Sequence, residues 1–102
     1  MMQFNGSLPA ANAGEPASAE EMFLLGMLYS SGREIPANLV TAHKWFNLAA
    51  MKGYAEAIRL RREIAAEMLD VEIGQAQRAA RDWLKAHPNA MADETPAFRV
   101  AA

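Results

Sequence analysis

The sequence predicts an all-α protein built from four helices in antiparallel pairs. Three observations lead there. Apolar residues recur at helical spacing in four successive stretches, and no stretch alternates with the period of two that a strand requires. Cap and stop residues (serine, asparagine, aspartate, glycine, proline) fall between those stretches. The connections left between helices are short, which favours antiparallel neighbours.

The first helix begins at Ser18, a good N-cap, with Glu20 and Glu21 in the first turn where the helix dipole favours carboxylates. Its body, MFLLGMLYS, is apolar nearly all round, as a well-buried helix should be. Gly32 stops it, and the hinge GREIPAN reverses the chain. Asn38 caps a second helix from Leu39 to about Lys52, whose face carries Leu39, Ala42, Phe46, Ala49 and Ala50. Gly53 ends it. The third helix is expected from about Ala55 to Met68, with Ala57, Leu60, Ile64 and Met68 as its apolar stripe. Asp70 is expected to cap the fourth, along which Leu69, Ile73, Ala76, Ala80, Trp83 and Leu84 line up. His87-Pro88 closes it, because the residue before proline is pushed out of the helical region.

Small residues in the first two helices suggest a close crossing. Gly26 sits inside an apolar helix, where glycine costs about 1 kcal/mol relative to alanine. That cost is offset if another helix crosses over it. Ala42 and Ala49-Ala50 offer a matching small surface, with Tyr29, Trp45 and Phe46 filling the flanks.

Composition bounds the function. The chain has 102 residues, enough for one modest core, and 52% of them are hydrophobic. A net charge of -2 and a pI of about 5.6 give no global attraction to nucleic acid or anionic membrane. There are no cysteines, so disulfides and thiolate metal sites are excluded. The N-terminal stretch lacks both the charge and the apolar run of a secretory signal, and no run approaches the ~18 apolar residues of a membrane span. A cytoplasmic protein is expected. Residues 1–17 and 88–102 are rich in small residues and proline and are expected to be flexible, with Phe98 and Val100 able to dock on the body.

No chemistry-bearing motif emerges. His43, expected at the boundary between apolar stripe and solvent, and His87 belong to no spaced ligand set, so no metal is expected. The carboxylates read as helix starts or as i, i+4 pairs, Arg59 with Glu63 and Arg78 with Asp82. No nucleophile elbow, phosphate loop or dinucleotide fingerprint is present. No catalytic residue and no cofactor are expected. The arginines of the second half (Arg59, Arg61, Arg62, Arg78, Arg81) are interleaved with acidic residues, which fits a solvated face better than a nucleic-acid surface. An acidic partner peptide engaging Arg59 and Arg62 is the sharper alternative.

An internal repeat adds to this. SAEEM at Ser18 and YAEAI at Tyr54 align 36 residues apart, and each opens a helix followed by another. The first unit carries Leu25-Gly26, Tyr29, Gly32, Ile35, Ala42, Trp45-Phe46, Ala49-Ala50 and Gly53, followed by Ala55-Glu56-Ala57. In this it resembles the Sel1-like repeat, a relative of the tetratricopeptide repeat. Glu34 stands where that pattern has glycine, and Asn38 where it has aspartate. The resemblance implies an α-α solenoid of about two repeats: residues 18–53 as one unit and residues 54–87 as a degenerate capping hairpin. It implies a protein-protein adaptor or scaffold that holds a partner segment on the surface lined by the first helix of each unit. Phe23, Met27 and Ser30 on the first helix, and Arg59, Arg62 and Glu63 on the third, are the candidates for that surface. Phe23 and Met27 are equally readable as core. Repeat arrays usually need about three units, so self-association through the first helix is a further expectation. Docking as an accessory subunit onto a larger helical assembly is the alternative function, and an enzyme the remote one.

Overall fold

The computed structural model describes residues 18–91. The expectations for residues 1–17 and for Phe98 and Val100 lie outside the described residues. Four helices follow in order: α1 Ala19–Ser31, α2 Leu39–Met51, α3 Ala55–Ala65 and α4 Asp70–Ala86. Among the described residues there is no strand. Successive helices pack antiparallel where they touch, giving an all-α four-helix domain.

Local chemistry sets the first two helices firmly. Ser18 Oγ accepts from the Glu21 N–H at 3.1 Å while Glu21 Oε1 accepts from the Ser18 N–H at 3.2 Å, a reciprocal capping box. Gly32 closes α1 at φ 72°, a left-handed conformation that suits glycine. The hinge is pinned when the Asn38 N–H donates to the Tyr29 carbonyl at 2.8 Å. Asn38 Oδ1 then accepts from the Thr41 N–H at 3.0 Å and opens α2. Glu34 keeps an ordinary backbone, since only Gly32 and Gly53 have positive φ among the described residues.

The core is centred on α2. Ala42, Trp45, Phe46, Leu48 and Ala49 are buried, as are Met22 and Leu25 of α1, Ala57 of α3 and Ala80 of α4. A Cβ placed on Gly26 would sit 2.5 Å from the Phe46 ring, so the glycine lets the phenyl ring lie directly on the α1 backbone. The extensive packings are α1, α3 and α4 each against α2. α3 and α4, although joined by a short turn, share no contact of that extent. Trp45 meets Trp83 edge-on at 5.6 Å, and past the C-terminal ends of the two helices Lys52 Nζ donates to the Ala90 carbonyl.

Three expectations are corrected. α3 stops at Ala65, and a turn closed by the Glu67 N–H on the Ile64 carbonyl leads to the buried Met68. Asp70 does not cap α4. It is the first helical residue, Leu69 holds the cap position, and Glu72 Oε1 satisfies the Leu69 N–H at 2.8 Å. Arg78 and Asp82 form no ion pair, whereas Arg59 and Glu63 do, at 2.7 Å.

Candidate functional site

Two successive antiparallel packings make α1 and α3 parallel to each other. Phe23 in the second turn of α1 and Tyr54 at the cap of α3 bring their rings to centroids 4.5 Å apart, and Phe23 also lies 5.6 Å from Phe46. One turn onward on each helix come Met27 and Ile58, because residues four apart share a helical face. Both remain open to solvent, Met27 at 41% and Ile58 at 36%. A further turn brings Ser30 on α1 and Arg62 on α3. α1 and α3 share no packing as extensive as each makes with α2, so the Phe23–Tyr54 ring contact is what joins these residues across the two helices.

The sequence-predicted residues divide on this geometry. Phe23 is half-buried against the core and forms the floor of the face. Met27 is an exposed flank. The Ser30 hydroxyl donates to the Met27 carbonyl at 3.3 Å. Arg62 lies about 40° around α3 from Ile58, at roughly 100° per residue, and is exposed. Arg59 and Glu63 do not join them. Glu63 is turned about 140° from Ile58, and Arg59 is held between Glu56 and Glu63 in an exposed i, i+3, i+4 network. Tyr54 and Ile58 complete the face, and sequence reasoning misses them. The signal is present only for Ile58, which falls off the Ala57, Leu60, Ile64 stripe; Tyr54, four residues before it, packs partly against the core.

α2 carries a polar group of different character. His43 is only 3% exposed, not at a solvent boundary as expected, and its Nδ1 has no hydrogen-bond partner. Burial, and secondarily the positive charge of Arg61, hold its pKa below the ordinary imidazole value. Arg61 reaches from α3 to α2 and donates to Asn47 Oδ1 at 2.7 Å. Elsewhere on α2, Lys44 Nζ lies 4.4 Å from the Trp45 ring centre, and desolvation lowers its pKa. His87 stacks on Trp83 at 4.1 Å, with Nδ1 2.8 Å from the Trp83 carbonyl.

No group of three or more metal-ligating side chains is gathered among the described residues. No helix among them is long and apolar enough to cross a membrane. Comparison with protein-family models, curated proteins and solved structures finds no match.

Proposed function

We propose that the chain is a protein-interaction module of Sel1-like type that binds a partner segment along the shared face of α1 and α3. The observation that carries this reading is the exposed pair Met27 and Ile58, set one turn beyond the Phe23–Tyr54 contact on parallel helices. Large apolar side chains left open on two adjoining elements favour an apolar anchor from a partner. Met27, flexible and polarizable, suits an adaptable contact. Arg62 at the end of the face has no partner within the described residues and favours a carboxylate on the bound segment. The ligand is thus a short peptide segment with an apolar anchor followed by an acidic residue.

A displayed-peptide selection against the full chain tests this, with Met27→Glu/Ile58→Glu as the comparison. Each side chain is about two-fifths exposed, so the double variant should still fold with a somewhat lower thermal midpoint, and its melt is recorded alongside binding. Selected peptides should share an apolar-then-acidic pattern and bind the double variant at least about tenfold more weakly, roughly 1.4 kcal/mol. Equal binding to both proteins would reject the face.

The accessory-subunit reading draws on one observation. Leu24, about 60° around α1 from Met27, is 44% exposed beside the half-buried Leu28. A preceding helical unit in a larger assembly would stack on that edge.

A further inference from the structure

Two glycines interrupt helix interiors, and only one has a reason inside the chain. Gly26 makes room for Phe46. At Gly74, in the second turn of α4, a Cβ would lie 3.6 Å from Arg78 Nη1, an ordinary contact with the end of a flexible side chain, so nothing inside the chain requires glycine there. Glycine is the least favourable residue in a helix interior after proline, and no close approach inside the chain demands it here. Its surroundings are regular. Asp70, Gly74, Gln77 and Arg81 follow the i, i+4, i+7, i+11 spacing of a heptad seam. The seam runs along an exposed flank of α4, turned by about 110° from the buried Ala76 and Ala80 at roughly 100° per residue. Asp70, Gln77 and Arg81 are exposed, and Val71 beside them is 62% exposed. The seam is acidic at its start, has a gap at Gly74 and an uncharged amide at Gln77, and is basic at its end. Neither Asp70 nor Arg81 has an ion-pair partner within the described residues.

Such a seam is complementary to itself when reversed. The geometry points to a homodimer formed by two antiparallel α4 helices, with Gln77 of each copy laid over Gly74 of the other. Asp70 precedes Gly74 by four residues and Arg81 follows Gln77 by four. That register therefore sets Asp70 opposite Arg81 at both ends, as twofold symmetry demands. The glycine then plays the part between copies that Gly26 plays within one: once the exposed Arg78 side chain swings aside, a side chain from the facing helix rests on the α4 backbone. Gln77 suits that place, because its stem packs while its amide still reaches water at the edge of the crossing. The arginine stem that extends to Asp70 passes beside Val71 and covers part of it. Two exposed ion pairs and one short helix crossing make this a weak dimer, favoured by low salt and high concentration. It uses α4, which contributes nothing to the peptide face, and stands or falls separately from that face.

Sedimentation velocity of the full chain up to millimolar concentration at low salt tests the dimer. The native chain should dimerise. Asp70→Arg and Arg81→Asp should each weaken association about tenfold or more, by replacing two attractions with two repulsions. The double variant should restore it. Gly74→Gln has room for its Cβ in the monomer and improves helix propensity, so it should fold at least as well yet dimerise poorly. A monomer at every concentration, a dimer indifferent to the single reversals, or a double variant that stays monomeric would overturn the proposal. A dimer lost instead on Met27→Glu would assign self-association to α1 and overturn it equally.

Discussion

The α1–α2 half and the α3–α4 half reach helical structure by different means. α1 and α2 each have a side-chain N-cap, from Ser18 and Asn38, and a left-handed glycine joins the turn between them. They also pack closely on each other through Gly26 and Phe46. α3 and α4 have Tyr54 and Leu69 at their cap positions, whose side chains supply no cap hydrogen bond, and each leans on α2 rather than mainly on the other. The first half is specified locally, and the second half depends on α2 already being in place. α2 is therefore the element whose damage should spread furthest.

Phe46→Ala gives the largest expected effect. The ring is 1% exposed and touches α1 across Gly26 as well as Phe23. A loss of about 3–5 kcal/mol is expected, close to global unfolding for a domain this small, and chemical denaturation would measure it. A loss under about 1 kcal/mol would show that α2 is not the hub. Gly26→Leu attacks the same contact from the other side. Even its Cβ would lie 2.5 Å from the Phe46 ring, so overpacking of about 3 kcal/mol is expected, read as a lower thermal midpoint. An unchanged melt would show that the crossing can open at little cost.

Acid pH probes α2 through His43. Its folded-state pKa lies below the ordinary value of about 6.5, so the unfolded chain takes up the proton first as pH falls. This contribution to stability is complete above that ordinary value and declines below it, until the folded-state pKa is also passed. His43→Leu should flatten the decline between about pH 7 and about pH 5 in urea titrations. A decline as steep as the parent's would place the acid sensitivity elsewhere.

Most of the fold is legible in the sequence because its determinants are local. Ser18, Gly32, Asn38 and Gly53 declare their turns by residue type, and Gly26 announces a close approach by being out of place in an apolar helix. What is not legible depends on what covers a side chain. His43 sits at a phase that predicts half exposure, yet it is 3% exposed, with Arg61 of α3 bonded to Asn47 one turn further on and close enough to act on its charge. Lys52 is 4% exposed because the chain beyond α4 folds back to it, which no spacing around residue 52 foretells. Asp70 reads as a cap because a good cap residue stands beside the true boundary, where the Glu72 bond to the Leu69 N–H already satisfies one free donor. The candidate face is half visible. Met27 and Arg62 stand out in the sequence, while the α3 stripe that packs inward draws attention away from Ile58.

The smallest expected effects probe the caps. Asn38→Ala should cost about 1 kcal/mol in the first half. Leu69→Ser should instead stabilise by roughly 0.5–1 kcal/mol, since it supplies a missing acceptor at a position 66% exposed. Thermal melts at low protein concentration would compare them. Two losses of similar size would mean that the second half is no less locally specified than the first.

The face shared by α1 and α3 is tested most directly by methyl NMR during titration with a selected peptide. The Met27 and Ile58 methyl signals should move together and saturate together, while those of Met51 and Leu69, which are exposed elsewhere, stay still. Movement at Leu24, Met51 or Leu69 with Met27 and Ile58 unchanged would put the partner on another surface and contradict the proposed face.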